Sequence, residues 1–318
     1  MSGFSTNTID HMIRANLWTA DLKEILEDDL FAMKYVNWIS SFPDGDQWNQ
    51  PSIGQAEVND YAEDQPVKYT AMDTGNFTMT IDEYVHSGTY ITNKMKQDSY
   101  VAGQIMAEFV PSQNRAIMKD LEVKILKIAP DAQTASDSNT INGAKHRFIG
   151  SGTNETIAVE DFAKARYALQ QANVPMTNLT AIVDPSVEFQ LSTLTNLVNV
   201  SNNKAWEGIV RTGISTGMRF IMNIYGFDVY TSQNLSVNTA SETIDTLTAA
   251  AGVNNLFFSA TPGIMPFIGA VRQPVKVDSK YNMDYQREEY VTTFRYGKKM
   301  HRPENMVCIV TDTDQVYA

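Results

Sequence analysis

The first 92 residues carry 15 acidic and 4 basic side chains, whereas residues 93–318 carry 22 and 21, so 11 of the 12 excess negative charges sit in the leading third. That third is also poor in the means of folding alone. From Gln47 to about Tyr90, Pro51, Gly54, Pro66, Gly75 and Gly88 punctuate short alternating runs such as Lys68-Tyr69-Thr70 and Asn76-Phe77-Thr78-Met79-Thr80-Ile81. This is the pattern of a long, twisted, two-stranded excursion. An isolated two-stranded ribbon is marginal in water, so the segment needs a partner surface. Basic groups of another subunit would relieve its self-repulsion, and a merely solvated acidic segment is the other reading of the same charge.

Ahead of the ribbon, Thr19 can cap a helix from Ala20 to about Ile39. Leu22, Ile25, Leu26, Leu30, Met33 and Val36 recur at helical spacing there, opposite Glu24, Glu27, Asp28 and Asp29. Phe42-Pro43-Asp44-Gly45-Asp46 is turn chemistry and ends it. Asn93 to Ala129 has the longest helical pattern, with Ile117, Leu121, Ile125 and Ile128 as its stronger stripe, and Pro111 is expected to kink or break it. Asp131 to Asn154 reads as an exposed loop or short hairpin. A helix over Glu160–Ala172 follows, ended by Asn173-Val174-Pro175. Strands are expected at Leu179–Val183, Arg219–Ile224, Phe227–Ser232, Leu256–Ser259, Gly269–Val277, Tyr290–Tyr296 and Met306–Thr311, with a short helix at Val187–Leu194. Without a regular βαβ alternation this order implies an α+β fold.

Catalytic and metal chemistry find little support. At a net charge of −12 no phosphate-neutralising basic face is expected. His11, His86, His146 and His301 lie in separate segments without ligand-spaced neighbours, so no metal and no cofactor is expected. The single cysteine, Cys308, sits in an apolar run and reads as a small buried hydrophobe. No run reaches the roughly 18 apolar residues of a membrane helix, and Met1 to Ile13 lacks the shape of an export signal. One motif suggests an enzyme: Gly213-Ile214-Ser215-Thr216-Gly217 fits a serine-hydrolase elbow, with Asp228 or Asp278 and then His301 behind it. The residues before Ser215 make a poor central strand and those after it lead into another strand, so a glycine-rich loop is the simpler reading. The neighbouring carboxylates Asp28-Asp29 and Glu288-Glu289 point apart and are not shaped to share a proton.

From residue 158 the chain runs through Phe162, Ala165 and Leu169, then Asn173-Val174-Pro175, Ala181-Ile182-Val183-Asp184-Pro185, and Phe189 and Leu191. Further on come Gly226-Phe227-Asp228-Val229-Tyr230-Thr231-Ser232-Gln233-Asn234-Leu235 and the ending Tyr296-Gly297-Lys298-Lys299-Met300-His301-Arg302-Pro303-Glu304. In that order and spacing these segments resemble the major capsid proteins of tailed double-stranded DNA bacteriophages. The resemblance implies an N-terminal arm over 1–45 and an extended loop over 46–92. It further implies a peripheral domain with a long spine helix over 93–155 and C-terminal strands over 256–318, and an axial domain over 156–255. The implied function is a non-enzymatic subunit that self-assembles into hexamers and pentamers of an icosahedral shell around double-stranded DNA. Such a shell is assembled in the host cytoplasm with a separate scaffolding protein, a portal and cement proteins. An encapsulin-type nanocompartment shares the architecture.

In that setting the acidic front is expected to dock on neighbouring subunits. Asp28, Asp29, Glu57, Asp60, Glu63 and Asp64 supply the negative side, and Lys94, Lys96, Lys119, Lys124, Lys298, Lys299 and Arg302 the positive side. Some relatives crosslink through a lysine of the extended loop, and Lys68 is the only lysine between Phe42 and Asn93.

Overall fold

The computed structural model describes residues 30–39, 45, 47–54, 56–61, 63–69, 71, 74–98, 102–134, 137–193, 220–238, 241–244, 247–249 and 252–312. Two sheets dominate. The first has four strands in the order β1 (Val36–Ile39), β14 (Phe267–Asn282), β15 (Arg287–Met300) and β4 (Glu83–Thr92). The second has six, in the order β7 (Arg147–Ile149), β16 (Val307–Asp312), β13 (Gly252–Ser259), β8 (Leu179–Val183), β10 (Phe227–Thr231) and β9 (Phe220–Ile224). Parallel pairs β1/β14, β7/β16 and β8/β10 sit among antiparallel ones, the mixed pattern of an α+β fold.

The six-stranded sheet divides the interior because successive side chains of a strand point to opposite faces. On one face Ile182, Leu256, Phe258 and Cys308 join the stripe Ile117, Leu121 and Ile125 of the long helix α2 (Ala102–Leu126), together with Phe267, Phe294 and Tyr296 of the first sheet. On the other face Ala181, Val183, Phe257, Val307 and Ile309 meet Phe162, Ala165 and Leu169 of helix α4 (Val159–Gln171). The Phe257 ring stands edge-on to both Phe162 and Phe227, at centroid separations of 5.1 and 5.5 Å. Cys308 is fully buried between these layers.

Several expectations hold. Tyr225 (φ 50°) and Gly226 (φ 87°) form the tight turn joining β9 to β10, where two successive positive φ values match the twist of the strands. Asn173 (φ 58°) ends α4. Strands β2 (Gln47–Ile53) and β3 (Thr74–Thr80) pair antiparallel over seven residues as the predicted ribbon. Helix α5 (Pro185–Thr193) follows β8 closely.

Others are corrected. The helix predicted through Ile39 is not there: a short 3-10 turn at Ala32–Tyr35 passes directly into β1. Val36 to Ile39 lie in register against Phe267 to Ala270, and that long-range ladder outweighs the local helical periodicity. The residues 20–29 of the same prediction fall outside the described segments. Residues 83–90, read as part of the ribbon, belong to β4, which pairs with β15 along ten registers from Glu83 to Thr92. Pro111 does not break α2, which runs through it from Ala102 to Leu126 and is preceded by α1 (Asn93–Asp98). A proline inside a helix costs about 3 kcal/mol. Next to it Phe109 packs edge-on against Tyr290, and Gln113 bonds both the Tyr290 carbonyl and the Thr292 hydroxyl, anchoring both flanks of the proline on β15. The stretch 131–154 holds a small hairpin, β5 (Thr140–Ile141) and β6 (Ala144–Lys145), but it is not simply exposed, since Ser138, His146 and Arg147 are buried.

Candidate assembly interface

The β2/β3 ribbon is fixed only at its base. There Met79 and Ile81 are buried with Ile268 and Ala270, and Trp48 and Phe77 pack against them. Lys299 Nζ donates to the Thr78 carbonyl at 2.7 Å and lies 5.1 Å from the centre of the Phe77 ring. The His301 ring meets Phe77 edge-on, and its Nε2 lies 3.1 Å from Gln50 Oε1. At Gly297 a Cβ would come within 2.6 Å of the Thr80 carbonyl, so only glycine admits the ribbon this close to β15.

Beyond the base, every described residue from Pro51 to Ala71 is exposed. Val58 is 93% exposed, Tyr61 81% and Tyr69 92%, and Glu57, Asp60, Glu63, Asp64 and Lys68 stand among them. Two tyrosines and two valines, Tyr61, Tyr69, Val58 and Val67, are thus exposed together on the ribbon, and contiguous exposed apolar groups are uncommon on soluble chains.

The basic candidates divide into two groups. Lys124 on α2 and Lys298 on β15 converge on Glu83, at 3.0 and 2.9 Å, and Lys124 also meets Asp120 at 2.9 Å. Burial alone would raise the Glu83 carboxyl, but the hydrogen bonds from Lys298 and Lys124 outweigh it and hold the group below the usual carboxylate range. Lys124 is disfavoured as a cation by its burial, yet Asp120 and Glu83 move it above the ordinary lysine value. Burial pushes the neighbouring Tyr296 hydroxyl up to about 12. Lys96 pairs with Glu288, Arg302 lies 3.6 Å from Glu304, and Lys299 is spent on its own ribbon. Lys94, Lys119 and Lys68 are exposed and make no ion pair among the described residues. Asp28 and Asp29 lie outside the described residues.

Sequence reasoning passed over Glu83 and Glu122. Glu83 looks like one more acid of the front third. Glu122 interrupts the apolar stripe of α2 between Leu121 and Ile125, and a carboxylate in that position is the signal that marks a buried partner.

The hydrolase elements are dispersed. Asp228 accepts from Asn223 at 2.8 Å, Asp278 meets Lys276 at 3.0 Å, and His301 is committed to the ribbon base, while Ser215 is outside the described residues. Among the described residues no three His, Cys, Asp or Glu side chains gather as a metal site. No helix among them is long and apolar enough to cross a membrane.

Residues 76–307 match the profile of a family described as phage capsid protein. The chain belongs to that family. The capsid protein is therefore a structural shell subunit with no catalytic function. Its fold is that of solved capsid chains. A chain from Mycobacterium phage Che8 is 18% identical, with 94% of this chain and 97% of that one covered and a TM-score of 0.69. The cyanophage Pam1 capsid asymmetric unit is 13% identical, with 98% and 99% covered and a TM-score of 0.71. The capsid of cyanophage P-SCSP1u is 15% identical, with 97% and 95% covered and a TM-score of 0.68. No curated protein matches the capsid protein in sequence. At such identities the shared feature is the backbone arrangement, which layer burial and strand register preserve while side chains change.

Proposed function

We propose that the capsid protein closes hexamers and pentamers of an icosahedral shell around double-stranded DNA, and that its acidic ribbon docks on an adjacent subunit. The single observation that supports this reading is the ribbon tip, whose apolar and acidic side chains the rest of its own chain leaves in water. Residues 1–45 act as the arm, 46–92 as the extended loop, 93–155 and 256–318 as the peripheral domain, and 156–255 as the axial domain. Lys94 and Lys119 are the exposed cations free to receive carboxylates such as Glu57, Asp60, Glu63 and Asp64, with Asp28 and Asp29 of the arm adding to the same attraction. Lys96, Lys124, Lys298, Lys299 and Arg302 contribute through the pairs they already make. Assembly proceeds in the host cytoplasm with a separate scaffolding protein, and portal and cement proteins complete the particle. DNA is enclosed without sequence-specific contacts, since a chain of net charge −12 repels phosphate.

Electron micrographs of the protein expressed with its scaffold test the proposal: closed shells with nuclease-protected DNA after packaging are expected. Particles filled with protein cargo and free of DNA would instead establish an encapsulin-type compartment. A salt series tests the electrostatic part, because shells whose assembly is the same at low and high ionic strength leave no role for ribbon charge.

A further inference from the structure

Strand β16 ends at Asp312, and the strands on both sides of it run out there. Against β13 the antiparallel register closes with Asp312 opposite Gly252, the first residue of that strand. Against β7 the parallel register closes with Val310 opposite Ile149, after which the Gly150 amide donates to the Val310 carbonyl at 2.9 Å. The next amide that could extend this ladder, that of Gly152, is spent on the Thr156 carbonyl at 2.8 Å. The backbone beyond Asp312 therefore has no ladder to join among the described residues and must find its partners elsewhere.

Because β7 and β16 run parallel, the chain leaves β16 at the same end where Gly150, Ser151 and Gly152 leave β7. Those three residues border a groove of about 600 Å³, whose apolar lining comes from Phe148 and Ile149 of β7 and from Tyr167 and Ala168 of α4. Tyr167 is 54% exposed on its wall. Residues 313–318, Thr313-Asp314-Gln315-Val316-Tyr317-Ala318, lie outside the described residues.

We propose that residues 313–318 turn out of the sheet into this groove of their own chain, with the Tyr317 ring seated on Phe148 beside Tyr167. Six extended residues reach at most about 20 Å, and the seat begins at the residues that flank the strand end. In an extended chain successive side chains point to opposite sides, so Val316 and Tyr317 cannot both face outward. A tyrosine buries a large apolar ring while its hydroxyl stays at the wet margin, which suits an open apolar groove. The seat is apolar and calls on none of the charges at its rim. Tethering selects the chain's own tail over that of another copy, since a short tether holds it at an effective concentration of about millimolar. Once seated, the tail straps α4 to the edge strand β7.

The test uses the full chain carrying Tyr317→Cys with Tyr167→Cys, or Tyr317→Cys with Val237→Cys. Val237 is 60% exposed and bridges to Val253, next to Gly252, so it borders the tail's exit on the β13 side, away from the groove. The native Cys308 is fully buried. A freely wandering tail reaches both positions, so the contrast between the pairs carries the decision. Mild oxidation is expected to form the first disulfide faster than the second, within one chain, as a band of monomer mass on non-reducing gels. Equal rates, a faster second pair, or no disulfide in either overturns the seat. Disulfide-linked dimers from the first pair assign the groove to another copy's tail and overturn the proposal as stated. Should the first pair not fold, a chain with Val316→Ser and Tyr317→Ser, altered in the tail alone, is compared with the wild type by hydrogen exchange. Faster exchange over residues 143–152 and 164–171 is expected, and unchanged exchange there overturns the strap.

Discussion

Glu122 and Ala32 stand 90 residues apart in sequence, yet Glu122 Oε2 accepts the Ala32 amide at 2.9 Å inside the core, and Oε1 accepts the Phe31 amide at 3.2 Å. The carboxylate is fully buried on α2, so it holds the start of the 3-10 turn that leads into β1 against the long helix, at a site that water does not reach. Hydrogen bonds to a charged group are stronger than neutral ones, and a buried amide left without its acceptor is costly.

Replacing Glu122 by Gln leaves one acceptor and turns an NH2 toward a backbone donor. The expected loss is about 1–3 kcal/mol. A denaturant titration checks the magnitude, and chymotryptic cleavage at Phe31 is expected to accelerate before global unfolding.

Glu83 links ribbon base, long helix and β15 through Lys124 and Lys298. Its carboxyl is held below the ordinary value, so its contribution is fully present above about pH 4.5 and is lost as pH falls through its folded pKa. Wild-type thermal midpoints are expected to drop on acidification below pH 4.5. A Glu83→Gln variant starts lower at pH 7 and shows a flatter acid limb. Parallel acid limbs in the two proteins would show that the latch contributes nothing.

His146 is fully buried with Nδ1 3.1 Å from the Ala144 carbonyl, and burial lowers its pKa. The unfolded chain therefore binds the proton more readily, and stability is expected to fall as pH drops below 6.5 toward the folded value. His301, lowered by burial and then by the Arg302 cation, adds a dependence of the same sign. Thermal scans between pH 7.5 and pH 5 check this, and a His146→Gln variant should lose part of the slope.

Gly297→Ala places a methyl group 2.6 Å from the Thr80 carbonyl and 3.0 Å from the Ile81 Cα, both backbone atoms that cannot swing aside. The ribbon base must shift, with an expected loss of about 1–3 kcal/mol. At Gly143 nothing lies within 4 Å of an added Cβ, but its φ of 80° strains any other residue. The equivalent change there is expected to cost about 1 kcal/mol by backbone strain alone. Comparing the two by denaturant midpoint, together with shell yield, separates steric displacement of the ribbon from strain in a turn.

The sequence by itself determined those features whose causes are local: the α4 helix with its apolar face, the Tyr225-Gly226 turn, the buried β8 and β16 runs, and an acidic ribbon too thin in apolar residues to be self-sufficient. Each follows from periodicity, turn chemistry or charge within a few residues. Only the tertiary structure decided that Val36 to Ile39 would be a strand, because the competing ladder comes from Phe267 to Ala270 far along the chain. It likewise decided that α2 would run through Pro111, since Phe109 and Gln113 gain their partners on β15. The proposed assembly surface was half legible for the same reason. Exposure of the tip residues could be inferred from their company, whereas capture of Lys124 and Lys298 by Glu83, and burial of Glu122 and His146, depend on which distant segments share a layer. Charge and period are written along the chain, but the partner of a buried charge is set by three-dimensional packing.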